Sequence, residues 1–94
     1  MYLHLGQDYV VHTRDIIGIF DIESSSVAKN TRQFLRRAEE EGAVVTVSGE
    51  LPKSFVVMDF PVQTVFISPI SARTLQRRCE RMENLDQYPR GSAL

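Results

Sequence analysis

Basic residues carry the sharpest chemical signal in this 94-residue chain. Of its eleven Lys and Arg side chains, nine are arginine. The arginine donor fork is rigid and planar, and it suits phosphate oxygens and guanine edges better than a lysine ammonium does. Lys29, Arg32 and Arg36 recur at steps of three and four, which puts them on one face of a helix, with Arg37 beside them. Arg73, Arg77 and Arg81 form a second row at i, i+4, with Arg78 next to it. Arg14 stands apart. It follows a β-rich stretch and adjoins Asp15, where it serves either a structural ion pair or an exposed contact. The helical rows also have two readings, a charged face for solubility or a surface for an anionic partner. The net charge is −1, so no global field attracts nucleic acid or an acidic membrane. Any anion binding must come from local grouping.

Catalytic chemistry has little to build on. Nucleophilic catalysis needs a nucleophile, a base and an orienting group. The available pieces are Cys79, His4 and His12. Cys79 falls on the apolar stripe of a helix and reads as a small buried hydrophobe. His4 and His12 sit on separate strands without an acidic cluster, a poor metal set. Glu39, Glu40 and Glu41 read as a solvated helix end. No glycine-rich phosphate loop and no Cys-x-x-Cys is present. The sequence therefore predicts no enzyme, no cofactor and no metal.

The elements that must carry these residues follow from periodicity. Met1, Leu3 and Leu5 alternate with Tyr2 and His4, a strand pattern. Gly6-Gln7-Asp8 is a turn, and Tyr9–Thr13 is β-rich again. Ile16–Phe20 reads as a strand covered on both faces or an edge strand, with Gly18 marking a bulge or a close backbone approach. Ser24-Ser25-Ser26 offers N-caps for a helix over Val27–Glu41, whose apolar face is Val27, Thr31, Phe34, Leu35 and Ala38. Gly42 suits the residue that ends it. Strands follow at Ala43–Ser48, Ser54–Phe60 and Thr64–Ile67, close enough to suggest antiparallel hairpins. Ser68-Pro69 signals a second helix, lined by Ala72, Leu75, Cys79 and Met82. If both helices cover one sheet face, the other face, with Tyr2, Val11, Phe55 and Phe66, lacks a cover and favours association, unless the C-terminal tail covers it.

Length and composition bound the rest. A chain this long makes one domain with one modest core, burying roughly 60–65% of its unfolded surface. Apolar residues are 43% and charged residues 24%, which fits a globular domain and excludes a disordered tail or a disulfide scaffold. Runs such as Phe55–Met58 are far short of the ~20 residues of a membrane span, and no signal peptide is read at the start. One cysteine cannot pair internally, so a reducing cytoplasm is expected.

Several blocks resemble a known family. Met1–Gly6, Val10-Val11 with Thr13, Asp15–Asp21, Pro52–Val57 and Ile67–Ser71, then Thr74-Leu75 and Arg77-Arg78, are similar in order and spacing to the RemA/RemB family of bacterial extracellular matrix (biofilm) regulators, closest to the RemB branch. The resemblance spans about residues 1–82. It implies a DNA-binding activator of matrix genes that assembles as a closed ring of identical subunits, with outer arginines on the DNA backbone. One such arginine follows the second strand, and Arg14 holds the matching position. A second basic site in the RemA branch is an Arg-Arg pair before the long central strand. This chain carries Gly49-Glu50-Leu51-Pro52-Lys53 there, with Lys53 the remaining base.

The expectation is therefore an α+β single domain, with an antiparallel-rich sheet of about five or six strands and two main helices. A Rem-like regulatory domain is expected over residues 1–83, and a flexible C-terminal tail over 84–94. The expected function is sequence-tolerant DNA-backbone binding by a ring-like homo-oligomer at the nucleoid, through Arg14, Lys29, Arg32, Arg36 and Lys53. The rival is an interaction protein that hetero-assembles with a RemA-type regulator and does not touch DNA.

Overall fold

The computed structural model describes residues 1–25 and 28–87. Six strands, a 3-10 turn and three helices follow one another: β1 (Tyr2–Gly6), β2 (Tyr9–His12), the turn Thr13–Asp15, β3 (Ile16–Asp21), α1 (Ile22–Ser25), α2 (Lys29–Glu40), β4 (Val44–Thr46), β5 (Ser54–Met58), β6 (Thr64–Ser68) and α3 (Ala72–Gln87). The α+β class is as expected. The single sheet is not: β1 and β2 form a hairpin of their own, and the other strands form a four-stranded sheet in the order β3-β5-β6-β4. The cause is the turn at Thr13–Asp15. It redirects the chain after β2, so β3 pairs antiparallel with β5 and not with its predecessor.

The helices also lie on opposite faces of the four-stranded sheet, which corrects the expectation of one shared face. Ala38 of α2 packs with Phe55, Val57 and Val65. Leu75 of α3 packs with Val56, Met58 and the hairpin's Leu3, Leu5 and Val11. Strand alternation sends neighbours in β5 to opposite layers, so every residue of β5 is buried. Phe55, Val11 and Phe66 are consequently core residues and do not share an uncovered face; of the four residues expected there, Tyr2 is exposed. The seven positions 47–53 carry the chain past β6 to β5, leaving β4 parallel to β6 where a hairpin was expected.

Local signals fared unevenly. Gly42 adopts φ +72°, and Ala43 N–H reaches the Ala38 carbonyl at 2.8 Å while Gly42 N–H reaches that of Glu39 at 3.1 Å. Those two bonds close α2 as a Schellman motif. Gly18 follows a register shift in β3, and a Cβ there would lie 2.6 Å from the Phe20 ring. β3 is an edge strand, with Ile17 and Phe20 exposed. The serine run does not cap α2: Ala28 occupies that position without a side-chain bond, and Ser24 lies in α1 with its N–H on Asp21 Oδ1. Val27 and Ser26 lie outside the described residues. β4 and β5 are shorter than expected, ending at Thr46 and Met58. The expected tail boundary falls inside α3, which continues to Gln87, and residues 88–94 lie outside the described residues.

Ser68 does not cap α3. It ends β6 fully buried, its hydroxyl donating to the Leu5 carbonyl at 2.6 Å and accepting the Ile70 N–H at 3.1 Å. The cap is Ser71, whose hydroxyl accepts the Thr74 N–H at 3.1 Å. Ser68 thus fastens the hairpin to the sheet. Ser68→Ala leaves a buried carbonyl without this donor, so urea unfolding should show a loss of about 1–3 kcal/mol.

Candidate nucleic-acid interface

Arg14 sits in the middle of the 3-10 turn between the hairpin and the edge strand. The turn is short and tied down. Thr13 N–H and hydroxyl both donate to the Met1 carbonyl, at 2.9 and 3.3 Å. The Asp15 carbonyl accepts the Asp59 N–H at 3.2 Å. The Arg14 side chain is exposed, and among the described residues its guanidinium takes no hydrogen-bond or ion-pair partner. The structure therefore leaves its side chain exposed and does not pair it with Asp15.

The residue that fixes Arg14 is one to which the sequence pattern assigned no such role. His12 Nδ1 accepts the Arg14 backbone N–H at 3.3 Å. Its ring lies 5.0 Å from that of Tyr2. Partial burial lowers the His12 pKa from the ordinary 6.5, the α-amino group of Met1 and the Arg14 guanidinium lower it further, and Asp15 opposes them. The unfolded chain therefore takes up this proton before the folded one does. The associated stability is present above about pH 6.5 and declines as pH falls below it. The spacing His-x-Arg was the available signal, since a side-chain acceptor two residues before an N–H is a known turn device.

Lys29, Arg32 and Arg36 do share the exposed face of α2, opposite the buried Ala38. Lys29 and Arg36 are about 10 Å apart along the axis, at 1.5 Å per residue. Lys53 is exposed at the head of β5, with its backbone bonded to Ser68 and Ile22. The β3–β5 ladder separates it from Arg14: one lies beyond the Asp21–Ser54 pair and the other beyond the Ile16–Met58 pair. Four steps of ~3.3 Å along β5, from Ser54 to Met58, put them at least about 13 Å apart. One protomer thus groups the α2 row on one helix face and holds Arg14 and Lys53 at opposite ends of the β3–β5 ladder. Arg73, Arg77, Arg78 and Arg81 are exposed on α3, in the opposite layer from α2.

The groups weighed for catalysis have other local roles. His4 Nε2 pairs with the Gln7 carbonyl at 2.6 Å in the hairpin turn, and Cys79 is half-buried against the α3-side core. Among the described residues, no three His, Cys, Asp or Glu side chains come together as a metal site, and no helix is long and apolar enough to cross a membrane.

A second surface is apolar. α2 covers the β4–β6 half of its sheet face and leaves a groove of about 360 Å³ over β3 and β5, lined by Ile17, Phe20, Phe34, Phe55 and Val57, with Asn30, Thr31 and Gln63 also present. Phe20 stacks on Phe55 at 5.1 Å. Leu51, in the loop before β5, is 79% exposed. The apolar surface left open therefore lies on this half-face, and of the four residues expected to lack a cover only Phe55 lines it.

The fold and its surface define a small α+β domain that displays mounted cations and an open apolar groove. Residues 2–79 match the RemA-like family, described as extracellular matrix regulatory protein A-like. The chain is also 42% identical over 86 residues to extracellular matrix regulatory protein B of Bacillus subtilis (strain 168), covering 92% of this chain and 99% of that protein. It belongs to the RemA-like family of extracellular matrix regulatory proteins, on the RemB branch.

Proposed function

We propose that this protein regulates extracellular matrix genes by binding the DNA backbone as a homo-oligomer, in the cytoplasm at the nucleoid. The observation that carries this reading is the exposed Arg14 on a turn fastened through both neighbours, in a chain of this family. A guanidinium on a fixed mount loses little entropy when it meets a phosphate. Lys29, Arg32, Arg36 and Lys53 add further phosphate contacts. They are spread over separate elements, so one protomer offers few contacts to any one DNA segment. Repetition in a ring multiplies those contacts without new chemistry. The groove over β3 and β5 supplies apolar surface for that repetition.

One observation favours a second reading, hetero-assembly with a RemA-type regulator. The loop before β5 presents Glu50 and the exposed Leu51 beside Lys53, a mixed surface that suits a protein better than phosphate. Gel shifts across a salt series, with and without the partner, separate the two. Direct DNA binding predicts a salt-sensitive shift by the protein alone, and the second reading predicts a shift only with the partner present.

Light scattering at micromolar concentration tests the assembly. Several subunits are expected for the parent. Ile17→Asp, which buries a charge in any contact made through the exposed edge strand, should reduce the mass to that of a smaller species while leaving the monomer fold intact. A monomeric parent would remove the avidity on which DNA binding depends here.

A further inference from the structure

The turn that carries Arg14 has one fastening on Arg14 itself, and it is an imidazole. His12 Nδ1 takes the Arg14 N–H two residues on, the connectivity of an Asx turn with a histidine ring in place of the carboxamide. An N–H can be accepted there only while that nitrogen keeps its lone pair, which fixes the proton of the neutral ring on Nε2. The imidazolium has donors at both nitrogens and no acceptor to offer. We infer that His12 is a positioning residue for Arg14: its neutral Nδ1 holds the turn that presents the guanidinium, and protonation there releases it. The functional half of this inference rests on the reading of Arg14 as a phosphate contact, whereas the brace itself is a property of the free protein.

The surroundings agree with a brace that is set at neutral pH. From β1 come the Met1 α-amino group and the Tyr2 ring; from the turn come Arg14 and Asp15. Asp59, beyond the end of β5, is joined to the turn through its backbone N–H on the Asp15 carbonyl. Two positive charges and partial burial favour the neutral ring, and Asp15 alone opposes them. The neighbouring fastening at Thr13 uses a backbone carbonyl, which does not titrate in this range. Acid should therefore loosen Arg14 and spare Thr13.

Amide hydrogen exchange by NMR on the free protein tests the brace, with the His12 ring titration followed in the same samples. Arg14 protection should fall about fivefold as His12 takes up its proton, the ratio given by one hydrogen bond of typical net strength, while Thr13 protection holds. His12→Asn, whose side-chain oxygen can accept the same N–H, should keep Arg14 protected at both ends of the titration. His12→Gln, one carbon longer, should lose protection at both. Binding to a mixed-sequence DNA duplex at neutral pH then tests the functional half. His12→Asn should bind like the parent and His12→Gln about fivefold more weakly at matched oligomeric state. Constant Arg14 protection in the parent across the His12 titration would overturn the inference whatever DNA does. If protection follows His12 but the Asn and Gln variants bind DNA alike, the brace stands and the functional half falls, and a loss on Arg14→Ala in the same assay shows whether Arg14 still meets phosphate.

Discussion

Leu75→Ala should lower the melting temperature by about 10 °C or more, the largest loss of stability expected from any single truncation on a helix of this protein. Leu75 is fully buried on α3 and packs with Leu3, Leu5, Val11, Val56 and Met58. It therefore joins three parts of the molecule: helix, hairpin and sheet. A rigid site of that kind collapses poorly around a cavity, and leucine truncation costs ~2–5 kcal/mol. A small domain holds only ~5–15 kcal/mol in total. Phe34→Ala provides the contrast. Phe34 is half-buried and lines the open groove, so its loss should cost less stability and more of the assembly. Thermal melting beside light scattering reads both quantities. If Phe34→Ala proves the more destabilising of the two, the layer assignment of the helices is wrong.

The contrast between these residues shows what the sequence pattern could and could not carry. The α2 face was legible because a 3.6-residue period is local: Thr31, Phe34, Leu35 and Ala38 turn inward as their spacing requires. The end of α2 was equally legible, because the left-handed conformation at Gly42 strongly favours glycine. Pairing was not. Nothing in the composition of Thr13–Asp15 says that the chain turns into a 3-10 element and starts a second sheet. That outcome depends on Thr13 meeting the Met1 carbonyl, a contact across the hairpin. Ser68-Pro69 misled for a related reason. Local capping rules apply to either serine, and Ser68 is claimed by Leu5, 63 residues away in the chain. With Ser68 engaged, Ser71 caps the helix. The candidate cations were legible by type, and those on α2 by face. The separation of Arg14 from Lys53 became visible only with the β3–β5 register.

That separation shapes the expectation for DNA. Arg14→Ala should weaken binding to every DNA sequence by about tenfold or more, because a charge-assisted hydrogen bond contributes ~1.5–3 kcal/mol and an assembly repeats the loss at each subunit on the duplex. A phosphate contact carries no sequence information, so the loss should be uniform across duplexes. The salt slope should fall by about 1 for each contact removed. Arg32→Ala should be milder, since Lys29 and Arg36 remain on the same face of α2. Arg73→Ala controls for charge alone: it removes the same unit of charge from an exposed site on α3, in the layer opposite α2. Affinity measured against salt for the parent and the three variants, at matched oligomeric state, separates mount from charge. A loss at Arg14 no larger than at Arg73 would make the effect one of net charge, and the fixed turn would have no part in it. A parent without salt-sensitive binding would shift the account to hetero-assembly, where the loop at Glu50-Leu51 and the groove over β3 become the surfaces that matter.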